Sequence, residues 1–223
     1  MTPEPFFPEL GAVLFDMDGT VVDTEGLWRQ ACAEVAAELG LRPGEVDPDH
    51  VHGRPAEHTA AHLRRPGVSV GWISERLTEG FARLVAHGVT PLPGALALLD
   101  GLASAGVPTA LVTASSRRVV EPVLGVVGAE RFRLVVAAED VVRGKPAPDP
   151  YLLAATLLGV DPALCAAVED SPVGLTSALT AGCRAVYVSR ERAVPYGVLS
   201  VNSLEKIDVT MLRRLVSGEI SVG

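Results

Sequence analysis

The sequence predicts an α/β protein: a mainly parallel sheet flanked by helices, interrupted early by an all-helical insert. Two observations carry that reading. Short, continuous apolar runs alternate with helix-like stretches through most of the chain, as in successive strand–helix–strand units. From about residue 24 to residue 90 the alternation stops and only helical pattern remains. The length of 223 residues corresponds to about one and a half ordinary domains, which a core plus an insert accommodates.

The first run, residues 11–15 (GAVLF), is apolar throughout and ends at Asp16, as expected of a strand covered on both faces. The insert follows. Trp28, Ala31, Cys32, Val35 and Leu39 keep helical spacing before Gly40, a shorter helix is expected over 56–65, and Ile73, Leu77, Phe81, Leu84 and Val85 repeat the pattern before Gly88. Pro91 and Pro93 mark the return to alternation. Strands are then expected at 109–112 (TALV), 134–137 (LVVA), 165–168 (CAAV) and 185–188 (AVYV), with helices at 94–105, 117–127, 150–158 and 173–181. Asp149 reads as an N-cap before Pro150, and Gly159 falls just past the helix end. The division expected is a discontinuous core, 1–23 and 91–223, around an insert spanning 24–90.

Composition narrows the function. Apolar residues are 48% and charged residues 21%, which suits a folded chain. No apolar run approaches the roughly 18–20 residues a bilayer requires. The opening MTPEPFFPEL lacks the basic start and apolar stretch of a secretory leader, so the cytoplasm is the expected location. A monomer is the default expectation. The net charge of −8, from 27 acids and 19 bases, argues against nucleic acid or an anionic membrane bound through a broad basic surface. It also weighs, at first sight, against anionic small ligands. Cys32, Cys165 and Cys183 are odd in number and far apart, and are expected as buried, reduced thiols.

Chemistry-bearing groups gather at the strand ends. After the first strand stands Asp16-Met17-Asp18-Gly19-Thr20. Residues two apart beyond a strand can face the same way, so both carboxylates can enter one site at the sheet's carboxyl edge. A calcium loop would also use Asp16, Asp18, Gly19 and Glu25, but its first ligand would be Leu14, and the residues before it form a strand. Thr113-Ala114-Ser115-Ser116 follows TALV and opens a helix, where hydroxyls and free N–H groups suit an anion and equally suit plain capping. Lys145, in RGKPAPDP, is one of 2 lysines in a chain with 17 arginines, so a compact point charge stands where a guanidinium is the norm. Glu169-Asp170-Ser171 follows CAAV, as a metal-binding pair or as helix-capping acids.

Taken together, in this order, the groups resemble the haloacid dehalogenase-like superfamily, in its phosphatase and phosphomutase branch. DMDGT matches the first motif, Thr113 within VTASS the second, Lys145 within GKPAPD the third, and Glu169-Asp170 the fourth. The resemblance spans nearly the whole chain and implies a Rossmann-like core with the helical insert as a cap. It implies Asp16 as nucleophile, passing through an aspartyl phosphate, and Asp18 as general acid and then base. Thr113, the Ala114 N–H and Ser115 would bind phosphoryl oxygens. Lys145 would pair with nucleophile and phosphate. Magnesium would be held by the Asp16 side chain, the Asp18 backbone carbonyl and Asp170, with Glu169 orienting the ion's waters.

Asp18 discriminates between chemistries, because carbon–halogen cleavage has no alkoxide to protonate and the dehalogenases of this superfamily lack that second aspartate. A sugar phosphomutase resembles the core, but Trp28 stands where such mutases carry a histidine, and Ala56 where they carry an arginine. The expectation is a magnesium-dependent phosphatase of a small phosphorylated metabolite, sugar- or polyol-phosphate-like. A β-phosphoglucomutase-like isomerase is the alternative, and a non-catalytic binding protein a third reading. In the cap, Arg54 and Trp28 are candidate substrate contacts, with a surface arginine and a core tryptophan as the competing readings. His58 and His62 have a zinc-compatible spacing, but no third ligand is convincingly spaced, so they are expected on an exposed face.

Overall fold

The computed structural model describes residues 9–42, 45–47, 51, 55–189 and 198–220. Six parallel strands form the sheet: β1 (Ala12–Phe15), β4 (Thr109–Val112), β5 (Leu134–Val136), β6 (Cys165–Glu169), β7 (Arg184–Val188) and β8 (Leu199–Val201), in the order β5-β4-β1-β6-β7-β8. β1 is buried along its length and pairs on both sides, Val13 with Thr109 of β4 and with Ala166 of β6. The chain builds outward from β1 to β5, then crosses back and builds from β6 to β8. The carboxyl ends beside this reversal, those of β1, β4 and β6, are where such sheets open a crevice for ligands.

Alternation along β1 sends Val13 and Phe15 to one face and Ala12 and Leu14 to the other. The first face is covered by α4 (Ala95–Ser104), α5 (Arg117–Val127) and α8 (Val209–Val216), the second by α6 (Asp149–Leu158) and α7 (Pro172–Thr180). Both faces being dry explains why these strands read as unbroken apolar runs. α6 begins one residue earlier than expected, with Asp149 inside the helix and Pro148 at its cap, while Gly159 ends it at φ 70°. No helix among the described residues is long and apolar enough to cross a membrane. Cys32, Cys165 and Cys183 are buried and free.

The insert contains α1 (Glu25–Glu38), α2 (Ala56–His62) and α3 (Val70–His87), with α2 stopping three residues short of the expected 65. The helices share a core of their own, in which Cys32, Val35, Ala60, Leu63, Ile73 and Leu77 meet. At the edges of the 24–90 span, the insert leaves and rejoins the core through a short antiparallel pair that the sequence did not predict, β2 (Val22–Asp23) with β3 (Thr90–Pro91). Two residues per strand, one of them proline, are too few to show a period. α3 leans on the core: Phe81 and Val85 join the apolar cluster of α5, and Arg118 on α5 lies 2.7 Å from Glu75 on α3.

Candidate active site

Where β1 ends, the Asp16 N–H donates to Val168 of β6 at 3.0 Å, so the backbone stays tied to the sheet for one residue more. Met17 points into the core without exposure, which turns Asp16 and Asp18 to the opposite side. Gly19 then takes φ +80°, and a Cβ there would lie 2.0 Å from Asp170 Oδ2. The glycine thus serves both a left-handed turn and the close approach of a carboxylate from β6.

Asp18 is held by three hydroxyls from two segments. Thr24 donates to its Oδ1 at 2.8 Å, and Ser115 and Thr113 donate to its Oδ2 at 2.7 and 3.2 Å. Burial and the neighbouring charge of Asp16 push this carboxyl above its ordinary range, against those donors. Thr113 also accepts the Ser115 N–H at 2.9 Å, which shapes the turn after β4.

Lys145 comes from the segment after β5 and is buried. Its ammonium donates to Asp16 Oδ1 at 2.6 Å, to Glu169 Oε1 at 2.6 Å and to the Val112 carbonyl at 2.9 Å. Burial opposes its charge, but Asp16 and Glu169 outweigh that and hold it above the usual lysine range. All three ammonium hydrogens are engaged, so reaching a phosphoryl oxygen would require an exchange of partners.

Glu169, without solvent exposure, ends β6. Besides Lys145 it accepts the Tyr151 hydroxyl on Oε1 at 2.6 Å and the Ser171 hydroxyl on Oε2 at 3.3 Å. Burial, then Asp16, push it up to about 7 despite Lys145. It fits only because residue 174 is glycine: a Cβ there would sit 1.9 Å from Glu169 Oε1.

Asp16, Glu169 and Asp170 each bring a carboxylate oxygen within 4.8 Å of the others. Burial, followed by Asp16 and Glu169, raises Asp170 well above the carboxylate range. No hydrogen bond among the described residues reaches the Asp170 carboxylate. A hard divalent cation suits this set, since its donors are oxygens and their charge exceeds that of the single lysine. Glu169 is already engaged by Lys145 and Tyr151, which leaves Asp16 and Asp170 better disposed to ligate.

A cavity of about 160 Å³ opens between core and insert. Asp16, Asp18, Ala114, Ser115, Lys145 and Asp170 line its floor, so the structure brings these sequence-selected residues into one site, with Thr113 behind them. Trp28 stands between cavity and insert. It lines the cavity, yet its indole N–H donates to the Val51 carbonyl at 2.7 Å and its ring meets Phe81 edge-on at 5.2 Å. Arg54 lies outside the described residues. His58 and His62 are exposed, as expected. Tyr151, Thr24 and Gly174 are contributors that the sequence reading missed. Tyr151 sits in an apolar helical pattern, and nothing local marks its hydroxyl as facing an acid on another strand.

A family model described as haloacid dehalogenase-like hydrolase matches residues 10–182. The chain is 40% identical over 202 residues to hexitol phosphatase A of Escherichia coli (strain K12), covering 88% of this chain and 93% of that one. It is 33% identical over 188 residues to a fructose-1-phosphate phosphatase of the same strain, covering 82% and 98%. The crystal structure of CbbY from Rhodobacter sphaeroides in complex with phosphate superposes with a TM-score of 0.78 at 29% identity, over 88% of this chain and 96% of that one. The chain belongs to the haloacid dehalogenase-like hydrolases. Within that family it is an enzyme of the phosphatase branch.

Proposed function

We propose that this enzyme is a magnesium-dependent phosphatase of a small sugar- or polyol-phosphate, working through an aspartyl phosphate on Asp16. The observation that carries the reading is Asp18. Its carboxyl stands on the same side of the chain as Asp16, is fixed by three hydroxyls, and is biased toward its protonated form.

In the first step a carboxylate oxygen of Asp16 forms a bond to phosphorus and the ester P–O bond breaks, while Asp18 delivers its proton to the departing alkoxide. In the second, Asp18, now ionised, takes a proton from water as that oxygen attacks phosphorus. Inorganic phosphate leaves and the Asp16 carboxylate is restored. Thr113, the Ala114 N–H and Ser115 would orient the phosphoryl oxygens, and Lys145 holds the Asp16 side chain in place. Mg2+, held by Asp16, Asp170 and the Asp18 backbone carbonyl with Glu169 orienting its waters, would supply positive charge to the phosphoryl group. Residues 24–90 would act as a cap over 1–23 and 91–223, excluding bulk water from the acyl phosphate.

Hydrolysis is favoured over mutase chemistry because Ala56 presents only a methyl group to the cavity and no charge for a second phosphate. The test is phosphate release from an aryl phosphate and from hexitol and hexose phosphates with Mg2+. Release is expected from the wild type and is lost in Asp16→Asn; equal release by the variant would sink the proposal. Bisphosphate-dependent interconversion of sugar phosphates, faster than phosphate loss, would move the enzyme to the mutases.

A further inference from the structure

The insert supplies its own end of the cavity. It is lined by Glu25 and Arg29 on α1, Glu57 on α2, Thr78 on α3, and the rings of Trp28 and Phe81. The Arg29 guanidinium lies 3.7 Å from Glu25, one helical turn away, so those two charges offset each other. Glu57 has no such cation among the described residues. Among the described residues its carboxylate receives only the Ser74 hydroxyl, at a long 3.4 Å.

Building on the phosphatase reading above, we infer that this end receives the leaving group and selects an uncharged, hydroxyl-rich one, with Glu57 as the specificity-determining residue. An ionised carboxylate only accepts hydrogen bonds and has capacity for about four; a polyol or sugar offers a row of hydroxyl donors. Thr78 adds a hydroxyl that both donates and accepts. Trp28 and Phe81 supply apolar surface for the carbon chain between the hydroxyls. The same carboxylate repels a carboxylate or a second phosphate on the substrate, which selects against bisphosphates and small phospho-acids at the step of entry.

Steady-state kinetics with a hexitol 6-phosphate, 2-phosphoglycolate and a hexose bisphosphate test this, using the full chain, Glu57→Gln and Glu57→Asp. Glu57 is exposed on its helix, so neither substitution disturbs the packing of the cap. The wild type is expected to prefer the hexitol phosphate by about tenfold or more in kcat/KM, in keeping with hydrogen bonds to a charged acceptor. In Glu57→Gln that preference shrinks by a similar factor, mainly through KM, while Glu57→Asp keeps the rejection of the anionic substrates. An unchanged preference in Glu57→Gln, or an even fall across all three substrates, would overturn the inference. If the wild type releases phosphate from none of these, nor from an aryl phosphate, the phosphatase reading falls and this one with it.

Discussion

Asp18 and Glu169 show how differently two acids of one site can be handled. Asp18 receives three neutral hydroxyls and no cation, so burial and Asp16 leave it inclined to keep its proton. Glu169 receives an ammonium and a phenol. Only the first arrangement suits a group that must give up a proton and take one back. Asp18→Asn is therefore expected to lower kcat on alkyl phosphates by roughly 10²- to 10⁴-fold. The loss should be smaller with an aryl phosphate, whose phenolate departs without a proton; equal losses on both substrates would deny Asp18 the acid role. Gly174 is a second residue-scale constraint. Gly174→Ala would drive a methyl into the Glu169 carboxylate, where Lys145 and Tyr151 leave that group no room to retreat. Overpacking of this kind costs up to about 3 kcal/mol, or roughly 10 °C at the melting midpoint of a domain this size, measurable by calorimetry.

The helices of the insert have a core separate from the sheet's, and their stability can be read separately. Cys32, buried among them, has its thiol pushed up to about 12 by burial. At pH 8 only about one part in ten thousand would be thiolate, so iodoacetamide should leave Cys32 unmodified while the cap is folded, as peptide mapping would show. Leu77→Ala, which removes a fully buried side chain of the same core, is expected to cost about 2–5 kcal/mol. It should speed Cys32 labelling by opening the insert; unchanged labelling would mean that the helices do not open as a unit. The ion pairs of Arg76 with Glu38 and of Arg83 with Glu34 join α3 to α1 on the exposed side and add little. Legibility also divides at this scale. β1, β4, β6 and most of β7 were readable because burial on both faces writes itself as an apolar run, and β5, half-buried at Leu134 and Val135, because its residues are apolar all the same. β8 is a half-buried strand of three residues and β2 and β3 have two each, so their formation is decided by a pairing partner and leaves no periodic trace. The bounds of α2 and α6 shifted by one to three residues because helix ends depend on neighbours more than on pattern.

Across the whole molecule, the net charge of −8 fits an anionic substrate once the acids are placed. Asp16, Glu169 and Asp170 converge at one edge of the sheet, where a bound dication would reverse the local sign. EDTA is accordingly expected to reduce phosphate release to background, and Mg2+ to restore it. Mg2+ should also raise the melting midpoint of the wild type but not that of Asp170→Asn, since only the native set binds the ion in the folded state. An equal rise in both proteins would remove Asp170 from the metal site. The sequence by itself determined the class of fold, the order of its elements and the chemical groups at each strand end, because apolar period and turn motifs are local properties of a chain. The tertiary structure alone decided that Lys145 bridges Asp16 and Glu169, that Tyr151 supports Glu169, and that Glu57 lines the cavity. Lys145 meets Asp16 across 129 residues of sequence, and contacts of that range are set by how strands and helices pack, which no local pattern encodes.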